Sequence, residues 1–253
     1  MNTICLIPAR MGSSRFPGKP LEKINGMPMI EHVYKRSNLS KSINKIAVAT
    51  PDQEIAEYVK SFGGNIIMTS NTHERASDRC AQALLIEEKN SNQRFDIVVM
   101  VQGDEPLVHP QMIDGAINAM IKDDNVNVVN LLGPLKEDEF QDKNIIKVLT
   151  KKNLDALYFS RNKLPFMNNL NLSLVGKQIC IIPFKRDFLL KYSELEPTPL
   201  EITESIDMLR VLEYGYNVRM KPVNFISHPV DIRDDINLVE KILNNDELYI
   251  KGY

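Results

Sequence analysis

Short, almost wholly apolar runs recur along the first half of the chain, at residues 4–7, 45–50, 65–69, 96–101 and 126–132. Runs of this length between turn-forming residues predict strands, and 96–101, apolar after its opening acid, has the form of a central strand buried on both faces. Between them the period lengthens to three and four. Ile55, Val59 and Phe62 share one helical face. Thr50-Pro51-Asp52-Gln53 opens that helix, with Thr as cap, Pro in the first turn and Gln completing a capping box, and Gly63-Gly64 ends it. Residues 80–88 and 111–121 predict two more helices. Strands alternating with helices in this way specify an α/β fold, a mostly parallel sheet covered by helices.

The alternation breaks between residues 133 and 184, where short apolar runs at 145–149 and 179–182 flank a polar, Asn-rich turn at 168–173. This stretch reads as a small β-rich subdomain within a single domain spanning 1–253. Helical periodicity returns at 201–214 and 234–243, and the last eight residues are expected to fray.

Composition narrows the function classes. Lys and Arg total 31 against 33 for Asp and Glu, so no basic field exists to gather nucleic acid or an anionic membrane. The 3 cysteines, Cys5, Cys80 and Cys180, are odd in number and widely spaced, which fits reduced structural thiols rather than a disulfide framework or zinc site. The first residues lack the form of a signal peptide and no apolar run has the length of a membrane span, so a cytoplasmic location is expected.

Candidate chemistry concentrates where the first strand ends. Pro8 stops the strand, Gly12 and Gly18 allow backbone N–H groups to approach an anion, and Arg10, Arg15 and Lys19 supply charge. Three cations on a Gly-containing loop after a strand suit a triphosphate. The loop is not a Walker P-loop, because five residues separate Gly12 from Gly18 and Pro20 follows Lys19 where Ser or Thr would bind magnesium. Asp104, at the tip of the 96–101 strand, should project into the crevice where open α/β sheets bind ligands. The polar loop 71–79 is expected at the same edge. His32 falls on a helix and His73, His109 and His228 in loops, in no metal-ligand or triad pattern, and most should be surface or capping residues. No nucleophile elbow or reactive Cys context is present, so direct in-line attack by a substrate is the simpler mechanism.

Ile7-Pro8-Ala9-Arg10, Ser14-Arg15 and Pro17-Gly18-Lys19-Pro20-Leu21 resemble the signature of the 3-deoxy-manno-octulosonate (KDO) cytidylyltransferases. The resemblance resurfaces in order at Val101-Gln102-Gly103-Asp104-Glu105-Pro106, Ala156 to Arg161, Pro199-Leu200-Glu201, Leu209-Arg210-Val211-Leu212 and Val230-Asp231, and so covers nearly the whole chain. It implies a Rossmann-like three-layer nucleotidyltransferase fold, with sugar pocket and dimer contacts in the β-rich subdomain. It also implies transfer of CMP from CTP to an acidic sugar, with pyrophosphate released and no protein base required. Arg10, Lys19 and Asp104 take the catalytic roles. Pro8, Ala9, Arg10, Gly12, Ser13, Ser14, Lys19, Ser77, Asp78, Arg79 and Gln102 would bind the nucleotide. Arg15, Gln102, Arg161, Gln178, Ile182 and Asp207 fall to the acceptor, and Asp104 and Asp231 to Mg²⁺, whose preference for hard carboxylates and phosphate oxygens this pair meets. A homodimer is implied as well.

The departures from the family pattern are uneven. In the base-contacting loop Gly-Thr-Glu-Arg becomes Ala76-Ser77-Asp78-Arg79, a set of small steps. On the sugar side a His and two Tyr become Gln178, Ile182 and Phe184, and Glu-Gln before Leu-Arg-Val becomes Asp207-Met208. Losing donors to substrate hydroxyls weakens use of the same sugar, so a modified or different acid is the expected acceptor, the alternative being that neighbours such as Arg161, Lys177 or Gln178 compensate and hold KDO itself. Two rivals keep the nucleotide motifs: a cytidylyltransferase for a non-sugar acid or phosphonate, and a catalytically silent nucleotide-binding protein. Intact Arg10, Lys19, Asp104 and Asp231 argue against silence.

Overall fold

The computed structural model describes residues 1–13 and 15–253. Strand β1 (Thr3–Pro8) is buried at every position. A short hairpin, β2 (Lys23–Ile24) and β3 (Met27–Pro28), leads to α1 (Met29–Asn38), and β4 (Lys45–Thr50), α2 (Gln53–Ser61), β5 (Ile66–Met68), α3 (Ala76–Ser91), β6 (Ile97–Val101) and α4 (Pro110–Ile121) complete the alternating half. The second half holds β7 (Val129–Gly133), α5 (Glu137–Gln141), β8 (Lys147–Thr150), β9 (Ala156–Ser160), β10 (Gly176–Ile179), β11 (Ile181–Lys185) and α6 (Arg186–Ser193). After these come α7 (Pro199–Glu204), α8 (Asp207–Glu213), β12 (Arg219–Pro222), α9 (Asp235–Leu243) and α10 (Glu247–Lys251).

The main sheet runs β11-β6-β1-β4-β5, parallel except for β11, which pairs antiparallel with β6. Alternation along its strands sorts the core into two faces. Ile4, Leu6, Val98 and Met100 pack with Cys80 and Leu84 of α3 and with Leu189 of α6. Cys5, Ile7, Val99 and Val101 meet Val33 of α1, Val59 of α2 and Ile113 of α4. Helices therefore cover both faces, which makes the three layers expected of the fold. Among the described residues no helix is long and apolar enough to cross a membrane.

The smaller sheet runs β12-β7-β10-β8-β9. It is less confined than residues 133–184, since β7 begins it at Val129, β12 joins it from Arg219, and β11 crosses back to the main sheet. A bridge between Val128 and Phe184 ties the two sheets, and Val148 and Phe159 share a core with Ile4 and Leu6.

Several boundaries differ from the sequence reading for local reasons. Thr50 closes β4 instead of capping α2, and Asp52 stands at the N-cap while its carboxylate accepts from Met11 N at 2.7 Å. Helix α3 opens at Ala76, so 76–79 form its first turn and not a loop. The helix expected at 201–214 is two, because Ser205 adopts a left-handed backbone with φ 54°. The chain end is docked as α10, with Tyr253 Oη 2.5 Å from His32 Nδ1 and Asp246 paired to Arg36. His32 is thus wholly buried, whereas His109 caps α4 by accepting from Gln111 N.

Candidate active site

The cationic loop closes on Met11 O, which accepts from both Ser13 N and Gly18 N at 3.0 Å. Gly18 has φ +76°, a left-handed conformation that a side chain resists, and it directs the chain into a helical turn at Lys19–Leu21. Gly12 has no such conformation and is exposed beside open space, so the backbone role expected of it falls to Gly18 alone. Ser14 lies outside the described residues.

A cleft of about 620 Å³ opens at the carboxyl edge of the main sheet. Its lining takes Pro8, Ala9, Arg10, Ser13, Arg15 and Lys19 from the end of β1 and the loop after it, Gln102 and Asp104 from the segment after β6, and Arg79, Arg161 and Asp207 from α3, the end of β9 and α8. A narrower pocket of about 160 Å³ continues from it, with Gln178, Ile182 and Asp231 among its lining. Of the residues expected at the site, Gly12, Ser77 and Asp78 line neither cavity. Ser77 Oγ donates instead to Asp207 Oδ2 at 3.4 Å, and burial pushes the Asp78 carboxyl up. Arg79 is turned inward, donating to Thr69 Oγ1 at 2.6 Å, Ser70 O at 3.0 Å and His73 O at 3.2 Å. It holds the 69–73 loop in shape. Phe184 also leaves the acceptor side, because it is wholly buried 6.0 Å from the Tyr192 ring.

Lys19 organises the charge. Its Nζ lies 2.6 Å from Asp104 Oδ2, 3.0 Å from Val230 O and 3.9 Å from Asp231 Oδ1. Arg15 spans the mouth, donating to Asp231 Oδ1 and Asn144 Oδ1, each at 2.8 Å. Burial and the neighbouring Asp104 raise the Asp231 carboxyl, against the pull of Arg15 and Lys19. Asp104 and Asp231 both approach the Lys19 ammonium, and two hard carboxylates brought together in this way are donors of the kind a divalent cation takes beside phosphate and water. Among the described residues no cluster of three or more His, Cys, Asp or Glu could hold a metal unaided.

The sequence reading missed several contributors. Arg75, in the polar loop already singled out, pairs with Asp207 Oδ1 at 3.2 Å. Asn144 comes from the β-rich region with no local signal. Cys180 lines the narrow pocket between Gln178 and Ile182, a placement that two-residue strand periodicity would have given. Glu105, only 2% exposed, accepts from Ser227 Oγ at 2.9 Å and Cys180 N at 3.2 Å.

Burial first, and Asp104 second, raise the Glu105 carboxyl from an ordinary 4.5 to about 7. Between those two pH values the folded state holds a proton that the unfolded chain has lost, so this group makes stability fall as pH rises through the window. Glu105→Gln should remove that slope, with urea midpoints gaining on the wild type from about pH 4.5 to about 7 and running parallel above it. Parallel curves throughout would mean that Glu105 titrates as an ordinary carboxylate.

The cations around this cleft are those a triphosphate requires, and with the three-layer sheet behind them the protein is a nucleotidyltransferase. The chain belongs to the cytidylyltransferase family, whose model matches residues 4–224, and within it to the KDO cytidylyltransferases. It is 40% identical to 3-deoxy-manno-octulosonate cytidylyltransferase of Geobacter metallireducens, over 96% of this chain and 98% of the relative. It is also 40% identical to 8-amino-3,8-dideoxy-manno-octulosonate cytidylyltransferase of Shewanella pealeana, over 97% and 100%. The solved structure of CMP:2-keto-3-deoxy-manno-octonic acid synthetase in complex with CTP superposes with a TM-score of 0.86 at 34% identity, covering 97% of this chain and 99% of that one.

Proposed function

We propose that the protein transfers the CMP group of CTP to a KDO-like 2-keto sugar acid and releases pyrophosphate. The observation that carries this reading is the convergence of Arg15, Lys19, Asp104 and Asp231 at the junction of the large cleft and the narrow pocket. Triphosphate in the first and acceptor in the second would place a sugar hydroxyl beside the α-phosphorus. The anomeric oxygen bonds to that phosphorus as the α–β phosphoanhydride breaks, and the hydroxyl proton passes to solvent. Arg10 and Lys19 neutralise the departing pyrophosphate, Pro8, Ala9, Ser13 and Gln102 shape the nucleotide side, and Arg15, Arg161, Gln178, Ile182 and Asp207 meet the acceptor. Held by Asp104 and Asp231, Mg²⁺ would supply further charge neutralisation and a lowered hydroxyl pKa.

A second copy of the chain would cover apolar surface of the β-rich region, where Leu157, Phe166 and Leu174 are exposed at 54%, 89% and 59%.

Nucleotide choice tests the reading. With Mg²⁺ and KDO, CTP should release pyrophosphate at least tenfold faster than ATP or UTP, a ratio of the order that differential binding supplies. Equal turnover of the three would contradict it.

A further inference from the structure

Where the start of α3 meets the α7–α8 elbow, Asp207 feels the negative charge of both Glu201 and Asp78, and Arg75 and Arg210 are the cations that oppose it. The two arginines divide the work. Arg210 is spent on Glu201, with Nε 2.6 Å from Oε2 and Nη2 2.7 Å from Oε1, and both partners are buried. Arg75 serves Asp207. Its Nη1 lies 3.2 Å from Asp207 Oδ1 and 3.5 Å from Ser205 Oγ, and its Nε 3.6 Å from Glu201 Oε1. Among the described residues Asp207 forms no other ion pair.

Arg75 reaches this elbow from another part of the fold, the N-cap of α3 at the end of the polar 71–79 loop. Its side chain is 26% exposed, and pairs open to solvent contribute little to stability, so stability alone does not account for it. Its partner, by contrast, lines both the large cleft and the narrow pocket. Burial raises the Asp207 carboxyl, and Arg75 is the strongest influence against that rise, ahead of Arg210. Glu201 and Asp78 push the carboxyl up further, and Tyr192 of α6 and Cys180, between β10 and β11, are the other titratable groups that feel its charge. Without Arg75, a carboxyl surrounded in this way would take up a proton more readily.

We propose that Arg75 is a positioning residue, which holds Asp207 in place and in its ionised form at the border of the two cavities. An ionised carboxylate can only accept hydrogen bonds, so the part of the acceptor that meets Asp207 is a donor. This rests on the KDO-like acceptor reading and adds a residue that acts on the acceptor through Asp207 alone.

The test follows pyrophosphate release with saturating CTP, Mg²⁺ and the KDO-type acid that the wild type turns over fastest, across a range of pH. At neutral pH Arg75→Gln should lower kcat/KM for the acid by about tenfold, mostly through KM, with KM for CTP and the urea midpoint little changed. Arg75→Lys keeps the charge and should recover most of the loss. The acid limb of kcat/KM should move to higher pH in Arg75→Gln and stay near the wild-type limb in Arg75→Lys. In an Asp207→Asn background, Arg75→Gln should cost less than about twofold, because the group it acts through is gone. An Arg75→Gln limb that superimposes on the wild type, or a tenfold loss that persists beside Asp207→Asn, overturns the proposal and leaves the acceptor reading intact. No turnover of any KDO-type acid by the wild type overturns both.

Discussion

Asp104→Asn is expected to lower kcat by about a hundredfold or more with little change in urea midpoint. The side chain contributes charge where triphosphate and acceptor meet, 2.6 Å from the Lys19 ammonium. Its backbone is held independently, since Asp104 O accepts from Val230 N at 2.9 Å. The substitution therefore removes the charge and keeps the geometry, leaving Lys19 to lean on Asp231 and the Val230 carbonyl. Asp231→Asn should behave alike, because the Asp231 main chain is secured through its N–H to Asp235 Oδ2 at 2.8 Å. Wild-type turnover in either variant would remove that residue from the site.

The largest loss of stability is expected at Arg210. Its guanidinium pairs with Glu201 through Nε to Oε2 at 2.6 Å and Nη2 to Oε1 at 2.7 Å, and stacks 4.7 Å from the centre of the Tyr192 ring. Glu201 is wholly buried and Arg210 is 2% exposed, so Arg210→Ala leaves a buried carboxylate with Arg75 Nε at 3.6 Å and the Thr198 N–H at 3.3 Å as its remaining partners. Breaking one side of such a pair costs about 3–5 kcal/mol. Urea unfolding should show that loss, and a change under about 1 kcal/mol would mean the pair is solvated as surface pairs are. The pair also sets the α7–α8 elbow, where Ser205 and Asp207 reach the cleft, so KM for the acceptor should rise in the folded fraction.

What the sequence makes legible follows the range of the interactions. The parallel strands and their helices are encoded by local periodicity, and the 96–101 run indeed forms β6, buried at every position between β1 and β11. The cationic loop and Asp104 were readable because they follow strand ends directly. The Ser205 elbow was not, since helical spacing continues through it, and the buried Glu201–Arg210 pair that spans it joins residues 9 apart. The extent of the small sheet was hidden too, because β12 joins it from some 40 residues after β10. Phe184 was matched to the acceptor side by position in a motif, but β11 carries it away from the sheet edge towards Tyr192. The docking of Tyr253 against His32 joins residues 221 apart, beyond any local pattern.

The most direct measurement is the product formed from CTP, Mg²⁺ and a KDO-type acid, with CMP-acid followed by mass spectrometry and pyrophosphate by a coupled assay. One pyrophosphate should appear for each CMP-acid, and neither should form when the acceptor or CTP is omitted. Acceptor-independent pyrophosphate release, or no CMP-acid with any 2-keto sugar acid, would contradict the assignment.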